Sequence, residues 1–255
     1  MPQEKKRTYK NAPIQEAIVE AKFSYDSYDA ALTGQVFEKI KAEYPRKQNL
    51  ELITLVLGST DSSAKQAPPP QTPVMQAWKS DNSEVIQIGP GITTVNSLRY
   101  STWRNFLPSI NTALKAYVDA ANPKYLTRIG VRYINKFFIP DSSVVLSDYF
   151  KIGVAMPPEV VDLQGFDLTF IHRVRTSQGT KGADFEIRTK FVTDGLNPGE
   201  IGTRFILDID CYLVSQISPD INQLSAIATE AHDNLEEIFE GFLTNKTRLL
   251  IGVEE

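Results

Sequence analysis

The chain has 255 residues, 42% of them hydrophobic and 23% charged, a length and balance that suit one large domain or two intimately packed halves without covalent staples. Its 27 basic and 31 acidic residues give a net charge of −4, which removes bulk attraction to DNA, RNA or anionic lipid as a driving force and leaves only local patches. A single cysteine, Cys211, excludes an intramolecular disulfide framework and points to a reducing, cytoplasmic setting; no apolar run nears the ~20 residues that span a bilayer.

Residues 1–10 form a basic tail, with Lys5, Lys6, Arg7 and Lys10 and no apolar stretch of the secretory kind behind them. From Ile14 to Tyr25 apolar and polar residues alternate, the period of a half-buried strand. Leu32, Val36, Phe37, Ile40 and Tyr44 recur at helical spacing until Pro45 stops the helix. Leu50 to Leu57 is β-branched and apolar and reads as a strand. The Pro/Ser-rich stretch 59–73 has too little apolar area to fold alone and reads as a flexible loop.

Short strands are expected at Met75–Lys79 and Glu84–Ile88 around an Asp81-Asn82-Ser83 turn, then at Ile92–Asn96 after Gly89-Pro90-Gly91. A helix follows, with Trp103, Phe106, Ile110, Leu114 and Tyr117 on one face, Ser101 as its cap and a regular start near Pro108. The second half offers a long alternating strand, Leu126–Ile139, a helical turn at Ser147–Phe150 and strands at Phe166–Arg175, Asp184–Phe191 and Arg204–Val214. A long amphipathic helix then runs from about Pro219 to Thr244. The fold class expected is α+β: a mainly antiparallel, curved sheet with two long amphipathic helices. The element order suggests two β-α-β-β-β-α units, 12–123 and 124–250.

The opening Asn11-Ala12-Pro13-Ile14-Gln15-Glu16-Ala17, the segment Arg128-Ile-Gly-Val-Arg-Tyr-Ile-Asn135 and the ending Phe242-Leu-Thr244 resemble an uncharacterised, sporadically distributed family of bacterial and archaeal proteins. The family's usual opening has proline where this chain has Ala12. The resemblance implies an accessory protein associated with mobile elements, and it supplies no activity, cofactor or catalytic residue.

The chemistry-bearing residues are few. His172 and His232 are far apart and, with Cys211, make no zinc spacing; no cofactor is implied. His172 continues an apolar strand row and reads as a core or rim residue, the alternative being a base in a sheet cavity. His232, just off the helix stripe, reads as solvated, and Cys211 as a small core residue. Asp208 and Asp210 share one strand face and could hold a divalent cation with Glu186, as in a metal-dependent phosphoesterase or nuclease; cross-strand pairing with arginine explains them more cheaply.

One constellation stands out. The non-apolar rows of the later strands are charged: Arg128, Arg132 and Lys136, then Arg173, then Arg188, opposed by Asp208 and Asp210. The first three have no acid between Asp119 and Asp141, so they are expected to lack local partners. If these strands share a sheet, the cations line one surface: on the plain reading a solvated face laced with cross-strand ion pairs, on the functional reading a groove. That surface would bind an anionic ligand or a partner protein, one encoded by a neighbouring gene included; a nucleotide or nucleic acid fits the arginines but not the net charge. On this reading the chain is a non-enzymatic binding protein, and removing Arg128, Arg132 and Lys136 together should leave the melting temperature nearly unchanged. A small-molecule carrier with an apolar cavity under the sheet is the third reading.

Overall fold

The computed structural model describes residues 7–25, 31–50, 73–141, 144–152, 170–176, 184–194 and 201–254, with side chains omitted for 170–176. The expected strand Leu50–Leu57 and the loop 59–73 lie almost entirely outside these residues, as do tail residues 1–6 and the first four residues of the strand expected from Phe166.

The elements in chain order are β1 (Thr8–Tyr9), β2 (Ile14–Phe23), α1 (Ala31–Ile40), β3 (Arg46–Asn49), β4 (Met75–Trp78), β5 (Glu84–Gly89), β6 (Ile92–Ser97), α2 (Trp103–Ala121), β7 (Leu126–Ile139), α3 (Leu146–Tyr149), β8 (Phe170–Thr176), β9 (Phe185–Asp194), β10 (Thr203–Ile217), α4 (Ile221–Phe242), α5 (Asn245–Leu250) and β11 (Val253–Glu254). The protein is α+β with an antiparallel sheet, as the alternation of apolar residues leads one to expect.

The chain divides into two compact units. One comprises Met1–Ala17, Val131–Tyr212 and Glu230–Glu255; the other comprises Ile18–Gly130 and Leu213–Thr229. Four elements (β2, β7, β10 and α4) therefore contribute residues to both, and the division does not follow a cut near residue 123.

In the second unit the strands run in the order β3-β4-β5-β6-β2-β7. Both turns of the β4–β5–β6 meander are held by left-handed residues, Asn82 at φ 60° and Gly91 at φ 63°. α2 is capped by Thr102, whose side chain accepts from the Asn105 N–H, one residue later than expected. The helix is regular from Trp103 and carries Pro108 inside it, because the ring removes only one helical donor. Its buried face, Phe106, Ile110, Ala113, Leu114 and Tyr117, packs on the sheet. The Tyr117 ring stacks on Phe23 at 5.1 Å and its hydroxyl donates to the Gly89 carbonyl at 3.0 Å.

In the first unit the strand order is β2-β7-β10-β9-β8. Hydrogen bonds from Lys136 N–H to the Pro13 carbonyl (2.8 Å), in this unit, and from Ser24 N–H to the Tyr125 carbonyl (2.9 Å), in the other, make β2 and β7 antiparallel. The odd-numbered residues of β7, β9 and β10 are buried: Tyr133, Asn135 and Phe137, then Phe185, Ile187, Thr189 and Phe191, then Phe205, Leu207, Ile209 and Cys211. They meet the part of α4 beyond Glu230, as the Phe137–Phe239 stack at 6.4 Å records, and a cluster of Phe137, Phe150, Phe191 and Phe205 rings fills the space beside it.

Four elements escaped the sequence reading. β3 has no apolar row, α5 is six residues long, and β1 and β11 are two-residue strands paired with each other through Thr8↔Glu254 and Tyr9↔Val253. The end of the basic tail is held in place: Lys10 N–H donates to the Gly252 carbonyl at 2.9 Å, and the Tyr9 hydroxyl donates to Glu240.

Gly202 tests the packing at the end of β7. Its φ is +148°, and a Cβ there would stand 2.6 Å from the Ile139 carbonyl oxygen and 2.7 Å from the Phe138 ring. Gly202→Ala is expected to cost about 1–3 kcal/mol, read as a lower urea midpoint with an unchanged slope; an unchanged midpoint would contradict this packing.

Candidate functional site

In the first unit the even-numbered positions of β2, β7, β9 and β10 form the face opposite the α4 core. Its charged residues are Arg132, Lys136, Arg188, Lys190 and Arg204 among cations and Glu16, Glu186, Asp194, Asp208 and Asp210 among acids. The structure therefore brings together Arg132, Lys136, Arg188, Asp208 and Asp210 on one surface, as expected. Arg173 stands opposite Arg188 in the β8–β9 register, and Arg128 belongs to the other unit.

The expectation that the β7 cations lack partners is corrected. Arg132 meets Asp208 in a two-bonded fork, Nε to Oδ1 and Nη2 to Oδ2, both 2.7 Å. Lys136 lies 2.5 Å from Asp194, and in the other unit Arg128 lies 2.7 Å from Glu20. These acids are 76, 58 and 108 residues away along the chain, so a search for nearby acids could not find them. The hydrogen bonds to Asp208 raise the Arg132 pKa against the opposing effect of burial; Asp210 and Glu16 add to that pull. The face is a net of compensated charges rather than a cationic groove.

It is nevertheless open. The Arg132 side chain is 45% exposed although its carboxylate partner is only 14% exposed, and the Nη1 side of the guanidinium is turned away from Asp208. Arg188 and Lys190 are exposed, directly opposite Asp210 and Asp208 in the β9–β10 register. Among these charges lie half-buried apolar residues, Ile134, Val192 and Ile206, the last two directly opposite each other, and Phe138 at 43% exposure.

The metal reading of Asp208, Asp210 and Glu186 meets a chemical obstacle. Both oxygens of Asp208 accept from Arg132, and Glu186 accepts from the Tyr212 hydroxyl at 2.8 Å, so a cation would have to displace a charged donor and a hydroxyl.

The opposite face carries the feature that the sequence hid. His232 is not solvated; it is 2% exposed, with its Nδ1 2.8 Å from the Tyr133 hydroxyl and its Nε2 3.2 Å from Glu236. Both ring nitrogens are therefore engaged, which removes the cost of burying the ring. His232, Asp233 and Glu236 offer ligand atoms within 4.8 Å of one another, but a metal there would have to take Nε2 from Glu236. Cys211 is fully buried, as expected of a core residue. The backbone of His172 stands opposite buried Thr189.

Two surface clefts among the described residues hold about 250 Å³, lined by Pro13, Lys136, Phe138 and Leu250 among others in the first unit, and about 290 Å³, lined by Ser24, Leu32, Tyr117 and Pro123 among others in the second. Ligand pockets usually start near ~300 Å³, so neither adds weight to a carrier reading. Among the described residues no helix is long and apolar enough to cross a membrane.

Two measurements follow from this geometry. Tyr133→Phe removes the hydroxyl 2.8 Å from the buried His232 Nδ1 and should cost about 1–3 kcal/mol in urea unfolding; wild-type stability would refute the pairing. Replacing Arg128, Arg132 and Lys136 together by Ala should lower Tm by several degrees, since three acids lose partners worth up to about 1 kcal/mol each and 1 kcal/mol is about 2–4 °C for a chain of this size. An unchanged Tm would instead support the unpaired-cation picture. Searches of protein-family models, curated proteins and solved structures found no match to this chain.

Proposed function

We propose that this protein is a non-catalytic interaction protein that docks a protein partner on the even-numbered face of its first unit. The observation that carries the reading is the half-exposed Arg132, held in place by Asp208 with the Nη1 side of its fork turned away and Ile134, Ile206 and Val192 around it. A guanidinium already fixed by one carboxylate loses little side-chain freedom when a second acceptor arrives, and its charge is compensated before it is desolvated. The apolar neighbours supply area that water leaves on docking.

Balanced charge argues for a protein partner rather than a polyanion. Phosphate backbones are bound by uncompensated Lys and Arg, whereas here each sign is matched on adjacent strands. The phosphoesterase reading finds no support of equal weight, given the Arg132–Asp208 fork.

The test is site-specific photocrosslinking in cells that carry the gene in its own context. A crosslinker at Ile134 should yield a discrete adduct, one at exposed Lys41 should not, and Arg132→Glu should cut the Ile134 yield about tenfold, the loss of one charge-assisted bond of ~1.4 kcal/mol. Equal adducts from both positions, or none from Ile134, would overturn the reading.

A further inference from the structure

The 22 residues of α4 include five acids, all between Glu230 and Glu240, and no lysine or arginine. Three ligand-bearing side chains share one turn of this acidic stretch. His232, Asp233 and Glu236 are spaced by one and four residues, which places them within about 100° of arc around the helix. Their ligand atoms lie within 4.8 Å of one another. His232 Nε2 and Glu236 Oε1 are 3.2 Å apart. Two ligands of a tetrahedral zinc, each bonded at about 2.0–2.1 Å, stand about 3.3–3.4 Å apart. The pair therefore has the spacing of two corners of that tetrahedron, and the exposed Asp233 side chain can turn inward to a third.

We propose that His232, Asp233 and Glu236 bind a divalent transition-metal ion, with zinc the best fit. The donor set is one imidazole nitrogen and two carboxylates. Magnesium and calcium take oxygen ligands, so the nitrogen selects a zinc-like ion. Three protein ligands leave one corner of the tetrahedron for water. The site lies on the opposite side of the sheet from Arg132 and does not depend on docking there.

The surroundings of the ring suit the role. Metal-bound histidines are aimed by a hydrogen bond at their other nitrogen, and the Tyr133 hydroxyl stands 2.8 Å from Nδ1 of the 2% exposed His232. The ion does take Nε2 from Glu236 as a hydrogen-bond partner, but it then bonds both atoms. Starting from the neutral ring with Nε2–H facing Glu236, Nε2 gives up its proton, Nδ1 takes one up, and the Tyr133 hydroxyl turns from donor to acceptor. The ring stays neutral, with no net release of a proton, and both of its nitrogens stay engaged.

Asn135 lies between Tyr133 and Phe137 on the buried row of β7. Tyr133 meets His232 and Phe137 stacks on Phe239, so Asn135 is level with the intervening turn of α4, which carries Glu236. It is fully buried; its Nδ2 donates to the Leu207 carbonyl and its Oδ1 accepts no hydrogen bond. Buried acceptors are ordinarily matched, and a water on the ion is a donor at that level.

The test is calorimetric titration of the full, tag-free chain with zinc in excess magnesium. The wild type should take up one zinc per chain with Kd of order 10 µM or tighter. Free zinc at about 100 times Kd should lower the urea unfolding constant about 100-fold. Asp233→Asn and Glu236→Gln each remove one anionic ligand and should each weaken zinc by about tenfold or more. Glu237→Gln removes the same charge one residue along, outside the triad, and should leave Kd within about twofold. Circular dichroism checks folding. For a variant that does not fold, the ring-nitrogen NMR signals of the wild type decide, since zinc should shift Nε2 of His232 and leave His172 unmoved.

No binding at about 100 µM zinc overturns the proposal. So does zinc that Asp233→Asn and Glu236→Gln leave in place, or that Glu237→Gln weakens equally, the mark of diffuse acidity. An unshifted His232 ring in zinc-loaded protein overturns it as well.

Discussion

The structure of the first unit turns on two neighbouring residues of β7 held from opposite sides. Arg132 points to the even face and is gripped by Asp208 of β10; Tyr133 points to the odd face and holds His232 of α4. Side chains alternate along a strand, so a slip of one position would put the guanidinium in the core and the phenol in water. Asn135 adds a third fastening on the buried side, donating to the Leu207 carbonyl at 3.1 Å. Strand, neighbouring strand and helix are thereby set in one register, and every statement about the even face depends on it.

This changes how the charged rows are to be understood. A row of arginines and lysines on a strand suggests a surface waiting for an anion. Here the acids have been recruited from β10, β9 and, in the other unit, β2, so the local field is quiet. What remains is a patterned surface, able to discriminate by where its charges sit rather than by how many there are.

The alternating strands were legible because burial on one face leaves a period of two in the sequence, clearest in β7, whose bounds match the expected Leu126–Ile139. The partners of Arg132 and Tyr133 were not, since pairing over 76 and 99 residues leaves no local signature. His232 was misread for the same reason: polarity suggested solvent, and only the Tyr133 hydroxyl and Glu236 make its burial tolerable. β3, β1 and β11 were missed because they owe their form to the strand they pair with, not to any rhythm of their own. β2 is fastened to β7 near one end by the Lys136 N–H, which donates to the Pro13 carbonyl, and near the other by the Thr127 hydroxyl, which donates to the Lys22 carbonyl.

The clasp between Thr8–Tyr9 and Val253–Glu254 has a practical corollary. Both ends of the described chain leave from one corner, cinched by Glu240, which takes contacts from Arg7, Tyr9 and Arg248. A short linker joining Thr8 directly to Glu254 would demand little distortion, so a permutant of residues 8–254 opened at the Asp81-Asn82-Ser83 turn becomes a reasonable form of the protein for labelling studies.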